Sequence, residues 1–324
     1  MRKASVAAAR LLLLAGMSIC LVSCGEKPPP PKWAREPANM IRVSGAWALY
    51  PMMVRWADEY EKLHPQVQVA VWGGGTGKGV TEALRGLVQI AMVSRQIQPE
   101  EEKQGGFWVP VAKDAVVPVA SAGNPVAKDL AARGLTRDQC AALWLERKGA
   151  TWGSLVSRPE VSDKVRVYTR SDICGAAEVW AGYLGKRQED LLGTGVPGDP
   201  GMTDAVRRDT FGIGFNNLNY AYDANTDKPI AGLMPIPIDI DGDGHIAEAE
   251  SFYETRTEVK RAIAEGVYPS PPARDLSLIT KGKPEGLTRE FLLWILTDGQ
   301  KYLDEAGYIE LPQQKLSAAV EKLG

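Results

Sequence analysis

The sequence predicts an α/β fold in which mainly parallel strands are covered by helices. The first observation is that short apolar runs, such as IRVSG and VQIAMV, alternate along the chain with amphipathic stretches. A second is the succession VQVAVW, GGGTGKG and VTEALRGL, in which an apolar run, a glycine-rich turn and an amphipathic stretch follow one another directly. In such sheets, ligands bind beyond the carboxyl ends of the strands, against helix N-termini.

Seven apolar runs have the length and composition of β-strands. In chain order they are IRVSG, VQVAVW, VQIAMV, AVVPVAS, KVRVYT, GIGFNN and LSLIT. Five longer stretches have apolar residues at helical spacing, namely MMVRWADEYEKL, LTRDQCAALWLER, GAAEVWAGYLG, FYETRTEVKRAIAEG and TREFLLWILTDGQKYL. In the first of these, one face carries Met53, Trp56, Tyr60 and Leu63. We expect that face to lie in the core.

The N-terminus has the layout of a bacterial export signal. Basic residues precede the apolar run LLLLAGMSICLVSC, which is too short to span a bilayer as a mature helix. The run ends in LVSC, which resembles a lipobox, the site where bacterial lipoproteins are cleaved and lipidated. We therefore predict a signal peptide at 1–23 and lipidation of Cys24. An ordinary signal peptide that contains a cysteine is the alternative.

Residues 24–40 predict an extended tether, because the proline run in GEKPPPPKWAREPAN favours polyproline II. No later apolar run is long enough to span a membrane. We expect an exported protein, periplasmic or on the cell surface, that is anchored to a membrane only through Cys24.

The amino-acid composition is typical of an ordinary globular protein. The formal net charge is −2 and 44% of the residues are hydrophobic, and no basic tract is present, which excludes nucleic acid as an expected partner. The length suits one large domain or two lobes. Besides Cys24, the predicted mature chain has only Cys140 and Cys174, which do not make a disulfide framework. Whether they pair depends on their separation.

Three turns between a predicted strand and a predicted helix could direct backbone N–H groups at one place: Ser44–Pro51, Gly73–Gly79 and Thr169–Ala177. Only the third contains a permanent cation, Arg170, which can hold an oxyanion with two parallel hydrogen bonds. This pattern favours an oxyanion site. The alternative is that the glycines merely permit tight turns.

Several segments, in order, resemble the substrate-binding proteins of phosphate ABC transporters, the PstS-type type II periplasmic binding proteins. They are SGAWALYPMMVRWADEY, GGGTGKGVTEAL, VQIAMVSRQIQPEE, TRSDICGAAEVW, GIGFNN, YPSPPARDLSLITKG and DGQKYLDEAGYIEL. The resemblance extends from about Ile41 to Leu311. It implies two α/β lobes with a ligand cleft between them and two crossover hinges. Lobe 1 would comprise 41–116 plus 269–324, and lobe 2 would comprise 117–268.

The resemblance also implies a set of ligand-binding positions. They are Leu49 and Tyr50 (backbone N–H groups), Thr76 (hydroxyl and N–H), Ser94, Arg170 (charge), and Cys174, Gly175 and Ala176 (start of a helix). The sequence departs from the family at four of these positions. Leu49 stands where a hydroxyl residue is frequent, Cys174 and Ala176 replace serine and threonine, and Ser94 stands where some members have a carboxylate. Loss of the hydroxyl donors weakens anion binding. Loss of the carboxylate, which accepts a proton from HPO₄²⁻ and repels fully ionised anions, weakens selectivity for phosphate over sulfate.

By this resemblance, the protein would capture inorganic phosphate and deliver it to an ABC permease with its ATPase, acting as a monomer. Binding of another oxyanion is one alternative. A ligand-poor extracytoplasmic sensor or scaffold is another, and the altered residues 49, 174 and 176 favour it. Retention of Thr76, Arg170 and all three turns opposes it.

The stretch DIDGDGHIAEAE, residues 239–250, follows the pattern of an EF-hand calcium loop. Asp239, Asp241 and Asp243 occupy positions one, three and five, and Glu250 occupies position twelve. His245 would contribute its carbonyl oxygen. We expect a structural Ca²⁺ site without the usual entering helix, because PIPI before it is strand-like. An acidic, glycine-rich surface turn is the alternative.

The sequence does not indicate an enzyme. Its two histidines, His64 and His245, stand in no recognisable triad or zinc motif, and the glycine-rich turn lacks the Gly-Lys-Ser/Thr ending of a P-loop. Cys174, near Arg170 at a predicted helix start, could be a reactive thiol. A replaced family serine is the interpretation we favour.

Overall fold

A computed structural model describes residues 39–146 and 149–324. The predicted signal peptide, Cys24 and all but the last two residues of the predicted tether lie outside these residues. No helix in the described part of the chain is both long and apolar enough to cross a membrane.

Eleven strands lie within the described residues. They are β1 (Met40–Gly45), β2 (Gln68–Gly73), β3 (Ile90–Val93), β4 (Gly106–Ser121), β5 (Leu135–Thr136), β6 (Arg166–Arg170), β7 (Thr194–Val196), β8 (Gly212–Asn217), β9 (Leu233–Pro235), β10 (Ile238–Asp239) and β11 (Ala273–Lys281). Twelve α-helices accompany them in the same part of the chain. They are α1 (Tyr50–Leu63), α2 (Thr76–Leu84), α3 (Pro99–Lys103), α4 (Ala127–Arg133), α5 (Arg137–Leu145), α6 (Trp152–Leu155), α7 (Gly175–Tyr183), α8 (Gly198–Arg208), α9 (Leu218–Ala221), α10 (Arg256–Ala264), α11 (Gly286–Leu296) and α12 (Gln313–Leu323).

Nine strands form one sheet in the order β2-β1-β3-β11-β4-β8-β6-β7, with β9 beside β4. The strands on either side of β11 and β4 pair in parallel, as predicted: β1 pairs with β2 and β3, and β6 pairs with β7 and β8. The centre differs from the prediction, because β4 and β11 run antiparallel to each other and to their other neighbours. These two long strands join the parallel halves.

The apolar core has two main clusters, and both include residues of β4 and β11. Val109, Val111, Ala112 and Leu276 belong to the cluster around Trp56 and Phe291. Ala115, Val116, Val117 and Ala273 belong to the cluster around Trp144 and Trp180. The change from one cluster to the other falls at Asp114 and Arg274, which face each other across the β4–β11 pair.

Two helix predictions need correction. Met53, Trp56 and Tyr60 are buried on α1 as expected, but Leu63 is 60% exposed because the helix ends there. The predicted helix TREFLLWILTDGQKYL is two elements, α11 and a 3-10 helix at Asp298–Tyr302. They part at Thr297, whose φ of −117° and ψ of −95° are not helical.

Candidate functional site

Predicted ligand residues from both parallel halves come together at the carboxyl ends of the strands. Thr76 begins α2, and Ser94 directly follows β3. The Ser94 N–H donates to Thr76 Oγ1 at 3.2 Å, and the two hydroxyl oxygens are 3.4 Å apart. Arg170 ends β6, and Cys174 precedes α7. The chain therefore brings Thr76, Ser94, Arg170 and the start of α7 to one place, where first-turn N–H groups have no partner within their helix.

The start of α7 packs directly on Ser94. A Cβ atom at Gly175 would lie 2.3 Å from Ser94 Oγ and 2.4 Å from Ser94 O, so only glycine fits. Next to this contact, the Gly77 N–H donates to Ile173 O at 3.4 Å. In this conformation the two sides of the predicted anion site touch each other.

Leu49 and Tyr50 differ from the prediction that their N–H groups face the ligand. The Leu49 N–H donates to Ala46 O at 3.2 Å, and the Tyr50 N–H donates to Trp47 O. Both bonds close a 3-10 turn at Trp47–Leu49, which precedes α1 and uses these donors locally. The Trp47 ring also fills the space beside Gly73, where an added Cβ atom would lie 2.4 Å from it.

Arg170 is fully buried between two carboxylates. Its Nε and Nη2 donate to Asp172 at 2.8 and 2.6 Å, and its Nη1 donates to Asp199 Oδ2 at 2.9 Å. Burial disfavours its charge, but the two carboxylates outweigh that effect and hold the pKa of Arg170 above its ordinary value. Burial likewise opposes ionisation of Asp172, yet hydrogen bonds from Arg170 keep the pKa of that carboxyl low. Asp172 and Asp199 are site residues that the sequence analysis missed.

A series of buried hydrogen bonds joins Ser94 to Arg170 through residues for which the sequence predicted no role. Arg274 Nε donates to Ser94 O at 3.1 Å, and Arg274 Nη2 donates to Asn217 Oδ1. Asn217 Nδ2 in turn donates to Asp199 Oδ1, beside Arg170. Arg274 lies in the segment YPSPPARDLSLITKG, which carried the family resemblance, but no role was predicted for it.

Among the carboxyl groups near this series of hydrogen bonds, Asp114 has the most perturbed pKa. Its Oδ2 lies 3.7 Å from Arg274 Nη2, and neither of its side-chain oxygens has a hydrogen-bond partner within the described residues. Burial raises the pKa of Asp114 to about 6, while Arg274 partly opposes the shift. Arg274 Nη1 is also buried without a partner in the described part of the chain.

Cys140 and Cys174, the cysteines within the described residues, are free thiols. Cys174 Sγ accepts a hydrogen bond from the Ala177 N–H at 3.5 Å, so it occupies the place of a serine cap on α7. Burial raises the pKa of Cys174 to about 12, although Arg170 opposes the shift. The thiol is therefore protonated at neutral pH, which agrees with the replaced-serine interpretation rather than with a reactive nucleophile.

A groove of about 1610 Å³ leads to the buried arginines. Arg170 and Arg274 line it together with residues of both halves, including Ile97 and Val179. Eight of its lining residues are Lys or Arg, and three are Glu or Asp. An excess of cations in a protein of net charge −2 gives this groove a positive potential that attracts anions.

The predicted calcium loop brings three of its acidic residues together. Oxygens of Asp239, Asp241 and Asp243 lie within 4.8 Å of one another. Gly244 has a φ of +81°, which suits the sharp turn at position six. Glu250 is not part of this cluster, and its oxygens accept the N–H groups of Ile240 at 2.7 Å and Ala247 at 3.3 Å. As predicted, a strand (β10) rather than a helix enters the loop.

Comparison with known proteins identifies the family. Residues 33–299 match the PBP superfamily domain. The chain is 24% identical to the phosphate-binding protein PstS of Pseudomonas aeruginosa, over 98% of each chain. It is 26% identical to protein SphX of Synechococcus elongatus, over 87% of this chain and 81% of that one.

Solved structures support the same fold. A putative phosphate ABC transporter substrate-binding protein with bound phosphate, from Clostridium perfringens, has a TM-score of 0.68 at 19% identity and covers 85% of this chain and 100% of its own. An ABC-type phosphate transport receptor from Vibrio cholerae has a TM-score of 0.60 at 21% identity, over 84% and 100%. These structures confirm the predicted fold class. With its domain match over most of the sequence, the chain belongs to the PBP superfamily.

Proposed function

We propose that the protein is an extracytoplasmic solute-binding protein, not an enzyme, that captures inorganic phosphate and delivers it to an ABC permease. The observation that carries this proposal is the convergence of Thr76, Ser94, Arg170 and the α7 N-terminus from opposite halves of the sheet. Hydroxyl groups, a guanidinium and first-turn N–H groups are oxyanion ligands. Relatives that are named for phosphate binding supply the ligand's identity.

Binding requires the two halves to separate, because Gly175 rests on Ser94 in this conformation. We propose lobes of 41–116 plus 269–324 and of 117–268, which move about β4 and β11. The core clusters divide at Asp114 and Arg274, within a few residues of this boundary, which supports a division in this region. Hinge movement around a ligand is the usual mechanism for proteins of this architecture.

Calorimetric titration of the purified protein, stripped of ligand by unfolding and refolding, tests the proposal. We expect saturable one-to-one binding of phosphate that Arg170→Ala abolishes. Arg166→Ala is a matched control on the same strand, because the Arg166 side chain is 63% exposed and pairs with Asp209. A folded protein that binds neither phosphate, arsenate nor sulfate would contradict the proposal.

A ligand-poor sensor or scaffold is the second candidate. The observation that favours it is the pairing of Arg170 with both Asp172 and Asp199, which offsets the charge that an anion would need. Binding of sulfate but not phosphate in the same titration would instead indicate a receptor for another oxyanion.

We further propose export with a lipid on Cys24, and a structural Ca²⁺ at the 239–250 loop. Labelling with a radioactive fatty acid in the native host tests the lipid, and Cys24→Ala should abolish the label.

The carboxylate cluster of Asp239, Asp241 and Asp243 supports the calcium site. The His245 carbonyl and, after a rotation of its side chain, Glu250 would complete the ligand set.

A further inference from the structure

We propose that Arg274 is a second ligand-contacting cation of the oxyanion site, whose Nη1 donates to the bound anion. This inference rests on the proposed function, because it assumes that an oxyanion is the ligand. It adds a residue for which the sequence predicts no role.

The position of Arg274 supports this role first. Its guanidinium is held by Ser94 O from the loop after β3, by Asn217 at the end of β8, and by Asp114 across the strand pair. Ser94 is itself a predicted ligand residue, and it touches the first residue of α7. Arg274 therefore lies at the junction where groups from both halves of the sheet meet.

The unsatisfied donor is the second argument. Arg274 Nη1 is buried and has no hydrogen-bond partner in the described residues, while Nε and Nη2 are both engaged. A buried donor without a partner is costly, and such groups in native proteins commonly meet a ligand, an ion or water. Arg274 also lines the positive groove that leads to Arg170, so an anion that enters the groove reaches both guanidinium groups.

The charge balance is the third argument. Arg170 donates hydrogen bonds to both Asp172 and Asp199, whereas Arg274 lies 3.7 Å from Asp114 Oδ2 without a hydrogen bond to it, so Arg274 is the less fully compensated cation. Asp199 links the two cations, because it accepts hydrogen bonds from Arg170 Nη1 and from Asn217 Nδ2, and Asn217 Oδ1 accepts from Arg274 Nη2. With burial already lowering the pKa of Arg274, an anion beside it would stabilise its charged form.

Calorimetric titration of phosphate into four forms of the whole protein tests the inference: wild type, Arg274→Gln, Arg274→Lys and Arg256→Gln. Arg256 is a matched control, because it is also buried but donates to Asn219 Oδ1 and to the Ala306 and Glu305 carbonyls. We expect Arg274→Gln to raise the Kd at least tenfold, Arg274→Lys to raise it less, and Arg256→Gln to leave it within twofold. Thermal unfolding without ligand separates these effects from stability.

The outcomes distinguish the inference from the proposed function. Wild-type binding with an unchanged Kd for Arg274→Gln would overturn the role of Arg274 alone. Absence of oxyanion binding by the wild type would overturn both. If Arg274→Gln does not fold, a crystal structure of the wild type with phosphate decides, because Nη1 must lie within about 3.2 Å of a phosphate oxygen.

Discussion

Gly175 and Ser94 are in such close contact that a Cβ atom at position 175 would lie 2.3 Å from Ser94 Oγ. Gly175 begins α7 in one half of the sheet, and Ser94 follows β3 in the other. The contact thus joins the two halves at the predicted ligand residues. Any anion held between them requires Gly175 to move away, so ligand binding and the relative position of the halves are coupled.

Gly175→Ala is expected to break this contact. The added methyl group overlaps both Ser94 Oγ and Ser94 O, and overpacking of this kind costs about 1–3 kcal/mol of the unfolding free energy. Urea denaturation measures the loss. Gly182→Ala in the same helix is the control, because an added Cβ atom there meets nothing within 4 Å and alanine favours a helix by about 0.5–1 kcal/mol. Equal losses in both variants would show that the Ser94 contact is not responsible.

Asp114 is expected to make stability depend on pH. Its folded-state pKa of about 6 lies above the ordinary aspartate value of 3.8. Its contribution to the free energy of unfolding is therefore fully present below about 3.8 and is lost as the pH rises through 6. The difference between these two pKa values corresponds to about 3 kcal/mol of the free energy of unfolding. Because Asp114→Asn cannot ionise, its unfolding free energy should rise relative to wild type between pH 4 and 7.

Denaturant titrations of both proteins across this pH range measure that difference. Arg274 and Asp199 are the charged groups that act on Asp114, and both remain in the variant. A wild-type-to-variant difference that stays constant with pH would contradict a perturbed carboxyl at this position.

Ca²⁺ is expected to stabilise the protein through the 239–250 loop. At ten times the Kd, binding to the folded state alone adds about 1.4 kcal/mol, and exported modules bind at about 10⁻⁴ to 10⁻³ M. Thermal unfolding in millimolar Ca²⁺ or EDTA measures the shift, which Asp241→Asn should reduce. Asp223→Asn is the control, because Asp223 caps a similar exposed turn by accepting the Asn225 and Thr226 N–H groups. A shift retained in Asp241→Asn would place the ion elsewhere.

Cys140 and Cys174 are expected to resist thiol reagents in the folded protein. Both are buried, and burial raises the pKa of each to about 12, so almost no thiolate is present at neutral pH. Titration with Ellman's reagent should modify neither in buffer and both in guanidinium chloride. Rapid modification of the folded protein would mean that the start of α7 opens readily.

Local sequence patterns determined most of the secondary structure. Strands such as β1, β3 and β8 coincide with apolar runs, and the face of α1 that carries Met53 and Trp56 is buried. The first half of β4 was not predicted, because Pro110, Lys113 and Asp114 interrupt its apolar pattern. Helix α12 was also missed, although Leu316, Ala319 and Leu323 are buried at helical spacing.

The sequence by itself determined the α/β class, the strand–turn–helix positions of Thr76 and Arg170, and the spacing of the loop aspartates, because these depend on residues close together in the chain. Tertiary structure alone decided the partners of Arg170 and Arg274 and the contact of Gly175 with Ser94. Arg274 and Ser94 are 180 residues apart, and Arg170 and Asp199 are 29 apart. Hydrogen bonds over such separations leave no periodic pattern in a sequence, so they become visible only when the strands are paired.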